Sequence, residues 1–404
     1  MGTPKCRFKG FAGTETEQPM NGFFGRGSGA VAKMGNIVRS GAFMPDAGKS
    51  QPGAAFAPSG TGPDTGGVPA TPPVLFWRSL SGPTPSSNQA VMELIAIDGN
   101  PIPDVAIVGT VIAADGVRTR YARWRASVRP VLGTICLLPG FGEAIEKYFE
   151  TIEDLRKRGF AVAALDWRGQ GGSDRRLRDA NRAHVDSFAE YDRDLDAFIH
   201  QVVLPDCAPP YFALAHSLGG LVALRAAQEG RASFTRMVLV APLVGFGRMR
   251  PPEPLARRLA PVMTAVGLGE LRVPGQENAT MARVPFEDNP LTGDAARFAR
   301  NQALAIQLPQ LFVGVPTFGW YNAALGALAE TEDAPFAAAI KIPALVVVGA
   351  LDRVVSLTAV ERFVADMRTG GKVVIAGGRH ELLMERDQIR EQFLAAFDAF
   401  VPGS

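Results

Sequence analysis

Hydrophobic and polar positions change pattern along the 404 residues. Before about residue 75, stretches such as GFFGRGSGA and PSGTGPDTGGVPATPP sustain neither the helical nor the strand period, which predicts a disordered or loosely packed arm. From about residue 104 the texture is that of a folded domain. AIVGTVIAADG and VRTRYARWRA flank an Asp115-Gly116 turn and predict an antiparallel hairpin. The runs GTICLLPG, AVAALDWRGQG, YFALAHS, RMVLVAP and ALVVVGALD then follow. They are short and apolar without alternation, as expected of strands covered on both faces. Helical patterns separate most of them, among them IEKYFETIEDLRKRG, VDSFAEYDRDLDAFIHQVV and LGGLVALRAAQEG. Strand alternating with helix predicts an α/β fold with a mostly parallel central sheet flanked by helices. A proline-punctuated helical stretch interrupts this rhythm before the penultimate strand. The predicted organisation is an arm over 1–103, a core over 104–243 and 337–404, and a helical cap over 244–336.

Composition narrows the function. Forty-two Lys+Arg against 40 Asp+Glu leave a formal charge of +2. No basic block is dense enough to track a phosphate backbone, which argues against nucleic acid as a partner. Cys6, Cys136 and Cys207 are scattered, with neither a disulfide framework nor metal-ligand spacing. Cys136 reads as a small core residue. No apolar run is long enough to span a bilayer, and the N-terminus lacks a secretory pattern. The expectation is a soluble cytoplasmic protein, peripheral at most at the inner face of the membrane.

Chemistry in such a sheet gathers at the carboxyl ends of the strands. LAHSLGG lies between a strand and an amphipathic helix, the context of a nucleophile elbow, and offers Ser217 as nucleophile. Ala215 stands where the pattern has glycine; one added methyl is a small change where strand and helix pass closely. A serine hydroxyl needs a base. His216 adjoins the serine and points elsewhere at a sharp turn, His200 ends a helix, and His184 reads as a packing or capping residue. His380, in the glycine-rich loop after the last strand, is the expected base. Asp352, just beyond the penultimate strand, is the expected carboxylate that holds its tautomer. The chain order Ser217, Asp352, His380 is that of the α/β-hydrolase triad. Backbone donors for an oxyanion are expected at Leu218, which opens the elbow helix, and at Phe141 in LLPGFGEAIEKY. Asp166 and Arg168, in LDWRGQGGSDR, read as an ion pair that holds a strand-end turn.

The segments LLPGFGEAIEKY, LDWRGQGGSDR, LAHSLGG, GALDRVV and GGRHELLME, in this order, resemble the monoacylglycerol lipase and lysophospholipase group of α/β-hydrolases, serine aminopeptidase S33-like proteins. The resemblance runs from about residue 107 to 400. It implies catalytic Ser217, Asp352 and His380, with Phe141 and Leu218 as oxyanion donors. Two positions depart from the pattern: Pro139 replaces a histidine before the oxyanion glycine, and Ala215 replaces the elbow glycine. The implied activity is release of a fatty acid from a lysophospholipid or monoacylglycerol through an acyl-enzyme, with no cofactor and no metal. General carboxylesterase, acyltransferase and peptidase chemistry use the same triad, and a non-catalytic ligand receptor is the alternative outside enzymes. Cap residues such as Phe312, Phe318, Trp320 and Leu325 would line an acyl pocket or pack the cap's own interior. An apolar lid would also allow transient contact with a membrane surface. No protein partner is implied.

Overall fold

The computed structural model describes residues 93–249, 251–274 and 281–401. Most of the expected arm lies outside them. Its last stretch, 93–103, is packed rather than loose: Leu94 and Ile102 pack against the hydrophobic layer that includes Trp124, Phe149 and Phe397. Asn100 Nδ2 donates to the Glu146 carbonyl at 2.9 Å and Trp124 Nε1 to that of Pro103 at 3.0 Å. Isolated contacts of this kind leave no periodic trace in the sequence.

The strands in chain order are β1 (Ile107–Ile112), β2 (Arg118–Trp124), β3 (Gly133–Leu138), β4 (Phe160–Leu165), β5 (Arg182–Ala183), β6 (Tyr211–His216), β7 (Arg236–Val240), β8 (Val315–Pro316), β9 (Ala344–Gly349) and β10 (Gly370–Ile375). Eight of them form one sheet in the order β1-β2-β4-β3-β6-β7-β9-β10. β1 and β2 are the expected antiparallel hairpin, β2 runs antiparallel to β4, and every later pairing is parallel. The two-residue ladder β5–β8 joins a core loop to the cap.

Helices cover both faces. On one lie α1 (Phe149–Lys157) and α10 (Asp387–Phe400); on the other lie α2 (Ala189–Phe198), α4 (Leu218–Gln228) and α9 (Leu357–Asp366), with a single turn, α3 (Leu204–Asp206), beyond α2. β3 shows why its sequence does not alternate. Ile135 and Leu137 face the first layer while Cys136 and Leu138 face the second, so every position must be apolar.

Asp166 and Arg168 do not pair with one another. Asp166 accepts from Arg120 Nε at 2.7 Å, and Arg120 also grips Glu146, all three fully buried. Arg168 turns the other way, to Asp194 at 2.7 Å and Asp115 at 2.7 Å. Both residues lie beyond the end of β4, where the chain turns at Arg168 and each side chain finds its own partners, which residue type alone does not reveal.

Between β7 and β9 the chain builds the expected helical insertion: α5 (Glu253–Ala265), α6 (Ala295–Gln307), α7 (Phe318–Thr331) and α8 (Ala334–Ala339). Asp294 caps α6 by accepting from the Arg297 amide at 2.8 Å, and Thr317 caps α7 through the Trp320 amide at 3.1 Å. Arg297 and Arg300 of α6 both reach Glu150 of α1, at 2.6 and 2.8 Å, which ties cap to core. No helix among the described residues is long and apolar enough to cross a membrane.

Candidate active site

β6 ends at His216 and α4 begins at Leu218, so the chain must reverse within a single residue. Ser217 does this with φ +46° and ψ −109°, a backbone region that costs a non-glycine residue about 1–3 kcal/mol. Neighbouring strands hold it there. Its N–H donates to the Val240 carbonyl at 3.0 Å, and its own carbonyl accepts from the Leu243 amide at 3.0 Å. The turn also requires close approach of α4 to β3. A Cβ on Gly219 would lie 2.3 Å from the Leu138 carbonyl oxygen and 2.7 Å from that of Pro139. Ala215, by contrast, is fully buried on β6, its methyl part of the core.

His380 follows β10, and its Nδ1 donates to Asp352 Oδ2 at 2.8 Å, which leaves Nε2 free to accept a proton. Asp352 Oδ1 accepts from the amides of Val354 and Val355 at 2.8 and 3.1 Å. Burial opposes its ionisation, but the His380 imidazole and the two amides outweigh that, and the carboxyl lies below its ordinary range. Ser217 and His380 line the same cavity, of about 670 Å³. The Ser217 hydroxyl makes no hydrogen bond among the described residues; catalytic hydrogen bonds often tighten only when substrate binds.

The loop after β3 is pinned from several sides. Trp167 Nε1 donates to the Pro139 carbonyl at 2.8 Å, the Gly140 amide donates to Glu143, and the Gly142 amide donates to Gln170 Oε1 at 3.0 Å. Gln170 Nε2 in turn donates to the Gly140 carbonyl at 2.7 Å. The Phe141 amide lies between these two satisfied donors and has no acceptor among the described residues. The Leu218 amide, at the first position of α4, has none either.

His216 sits closer to the chemistry than a turn neighbour pointing away. Its ring centroid is 4.8 Å from that of His380, and it lines the cavity. Nδ1 faces Glu143 at 3.2 Å and Nε2 faces the His380 carbonyl at 3.4 Å. Burial disfavours its charge, but Glu143 prevails and holds its pKa above the ordinary range. Glu143 also accepts from Lys147 Nζ at 2.6 Å and from the Tyr148 hydroxyl, and Lys147 pairs with Glu381 at 2.6 Å. Burial works against the Glu143 charge, yet Lys147 and His216 keep its carboxyl well below the usual range. Sequence reading missed this buried cluster. The i, i+4 spacing of Glu143 and Lys147 was its one local signal.

His184 and His200 lie away from the site. His184 bonds Thr317 Oγ1 at 2.8 Å and Asp186 at 3.1 Å, as a packing residue does, and His200 is exposed on the π-helical turn after α2. Cys136 is a buried core residue. Of the four cap residues, Phe312 and Trp320 line the cavity, whereas Phe318 and Leu325 pack into the core.

A further connection runs between cap and base. Arg379 Nη1 donates to the carbonyls of Asn289 and Thr292 at 2.9 Å each, and the Glu381 amide donates to Leu291 at 2.8 Å. Thr292 Oγ1 donates to the Met384 carbonyl at 2.7 Å, and Glu385 Oε1 accepts from the amides of Gly293 and Arg379. The loop that presents His380 and the segment that leads into α6 therefore form one hydrogen-bonded unit.

The profile of the family described as serine aminopeptidase, S33, matches residues 129–387. The chain is 32% identical over 303 residues to lysophospholipase L2 of Escherichia coli (strain K12), covering 71% of this chain and 84% of that protein. To the monoacylglycerol lipase of Mycolicibacterium smegmatis it is 27% identical over 279 residues, covering 68% of this chain and 89% of the relative. In structure it resembles a soluble variant of monoglyceride lipase from Saccharomyces cerevisiae, solved with a substrate analogue. The TM-score is 0.60 at 18% identity, over 74% of this chain and 96% of that one.

Proposed function

Because the chain belongs to the serine aminopeptidase S33 family, we propose that it hydrolyses carboxylic esters, releasing the fatty acid of a monoacyl lipid with Ser217 as nucleophile. The observation that carries this reading is the His380–Asp352 bond beside a strained Ser217 in the wall of one largely apolar cavity. His380 Nε2 takes the Ser217 proton as Oγ attacks the ester carbonyl. The amides of Phe141 and Leu218 receive the oxyanion, whose position favours the dipole of α4. Collapse of the intermediate expels the alcohol, protonated by His380. Water, deprotonated by the same imidazole, then attacks the acyl-Ser217, and the carboxylic acid leaves as the serine regains its proton. Asp352 stays ionised throughout and stabilises the imidazolium.

Phe298, Phe312, Val313 and Trp320 give the cavity an apolar wall suited to an acyl chain. Its rim favours a charged head group. Arg248 and Arg353 both line the cavity, both are exposed, and neither has an ion-pair partner among the described residues. Backbone bonds hold them side by side, the Arg248 amide donating to the Arg353 carbonyl at 2.9 Å. Two free guanidinium groups match a phosphodiester, so a lysophospholipid is the preferred substrate over a neutral glyceride. On the outside of the cap, Leu255, Leu259, Val262 and Val266 lie exposed at helical spacing on α5 and its end, an apolar stripe suited to contact with a lipid surface.

The test is fatty-acid release from lysophosphatidylcholine and from a monoacylglycerol of the same chain length. Ser217→Ala should abolish both while the protein stays folded; substantial residual turnover would sink the mechanism. Replacing both rim arginines by Gln should erase the preference for the phospholipid, and an unchanged preference would leave the head group without this recognition.

A further inference from the structure

The segment LDWRGQGGSDR after β4 does more than anchor core ion pairs. Asp166 and Arg168 are spent on those pairs, whereas Trp167 and Gln170 reach the loop that follows β3. Trp167 is fully buried and Gln170 is 2% exposed. The turn that carries Gln170 is itself fixed. Its amide donates to the Trp167 carbonyl at 3.2 Å, and the Gly171 amide donates to the Leu311 carbonyl at 2.8 Å. Asp166 Oδ2 accepts from the Gly172 amide at 2.8 Å, and Ser173 Oγ donates to the Asp166 carbonyl at 2.7 Å.

From this base the Gln170 side chain meets three backbone groups of the loop. Nε2 donates to the carbonyls of Gly140 at 2.7 Å and Glu143 at 3.0 Å, while Oε1 accepts from the Gly142 amide at 3.0 Å. Only one orientation of the side-chain amide satisfies all three, because the reverse sets its oxygen against two carbonyls. The Gly140 carbonyl and the Phe141 N–H belong to one planar trans peptide and point in opposite directions. A donor that holds the carbonyl therefore aims the N–H away from Gln170 and keeps the peptide from turning over. It also polarises the peptide, which strengthens the N–H as a donor. The amides on either side are already used, Gly140 by Glu143 and Gly142 by Gln170 itself. Trp320 of the cap packs on the Phe141 ring with centroids 4.5 Å apart, so the residue is held at its side chain as well.

Phe141, Gly142 and Ser217 line the cavity, but Gln170 stands behind the loop and is not part of the wall. We propose that Gln170 is a positioning residue of the oxyanion hole, which acts through the Gly140–Phe141 peptide to aim the Phe141 amide at the oxyanion formed on Ser217. This deepens the ester-hydrolase reading and rests on it. Since Gln170 does not meet substrate, its loss falls on the transition state and spares ground-state binding.

The test replaces Gln170 by methionine, which has similar length and no charge and cannot hold the three backbone groups. Gln170→Met should lower kcat for a p-nitrophenyl ester by about 10- to 100-fold, with KM within about threefold of wild type. A trifluoromethyl ketone supplies the readout that a purely structural role would not move. Ser217 Oγ adds to its carbonyl carbon, the serine proton passes to His380, and the carbonyl oxygen becomes an oxyanion in the same hole. Affinity for this inhibitor should fall by the same factor as kcat. An unchanged kcat in a folded Gln170→Met overturns the proposal, as does a lowered kcat without the matching loss of inhibitor affinity. In the wild type, the Phe141 amide proton should move downfield in the NMR spectrum when the adduct forms; a proton that stays in place overturns the proposal even if the variant does not fold. Loss of p-nitrophenyl ester hydrolysis in Ser217→Ala tests the underlying reading separately. An enzyme that depends on Ser217 but not on Gln170 refutes only the positioning role.

Discussion

Replacing Gly219 by alanine sets two effects of known size against each other. Gly219 is the second residue of α4, and helix propensity alone favours alanine there by about 1 kcal/mol. The added methyl carbon would lie 2.3 Å from the Leu138 carbonyl oxygen, about 1 Å inside ordinary van der Waals contact. That oxygen belongs to backbone, and the following residues are pinned by Trp167 and Gln170, so the neighbour cannot swing aside. Overpacking of this kind costs about 1–3 kcal/mol, which outweighs the propensity gain. The displacement also separates the amides of Leu218 and Phe141, and a shift of ~1 Å among reacting groups lowers kcat by about 10²-fold. Gly326 provides the control. It lies on the exposed side of α7 with nothing within 4 Å of an added Cβ, so Gly326→Ala should stabilise by up to about 1 kcal/mol. Thermal unfolding and p-nitrophenyl ester turnover would be measured on both variants. A Gly219→Ala protein as stable and as active as Gly326→Ala would refute the argument that strand–helix approach governs this turn.

Asp352→Asn should preserve the fold and lower kcat by about 10⁴-fold, because the amide no longer fixes the His380 tautomer or stabilises its cation; a loss below tenfold would assign the orienting role elsewhere. Glu150 gives a pH signature. Burial works against its charge, yet Arg297, Arg390 and Arg300 hold its carboxyl at about 2, below the usual 4.5. A depressed carboxyl contributes stability that is present above its unfolded value and is lost as pH falls through the folded one. Glu150→Gln should therefore melt below wild type at neutral pH, with the two Tm values converging near pH 2; parallel curves would contradict the tether. Leu259→Glu with Val262→Glu should slow hydrolysis of vesicle-borne substrate while sparing a soluble short-chain ester, and equal effects on both would exclude a surface-docking role for α5.

The fold was largely legible because its strands are buried on both faces. β3, β4, β6, β7 and β9 stand out as uninterrupted apolar runs, and the helices between them supply the parallel crossovers. The candidate site was legible where chemistry follows strand ends: His380 and Asp352 come together as their positions suggested. What escaped was long-range pairing. Nothing local in Arg120 announces Asp166 and Glu146, and Arg168 gives no hint of Asp115. Asn301 looks like any polar position on an amphipathic helix until its neighbours show that it is buried. The packed stretch over 93–103 was hidden because its contacts are single side chains rather than a repeating face.

The bonds that join the His380 loop to the entry of α6 bear on how this protein could be recombined. A chimera that exchanged the cap at the ends of the insertion would cut Arg379 from Asn289 and Thr292, and Glu385 from Gly293. The modular unit is thus discontinuous in sequence: residues 289–294 and 379–385 must be inherited from the same parent. Trp320 and Tyr321 of α7 can then be exchanged to alter the cavity wall, but a graft that splits the paired segments would lose the setting of the His380 loop.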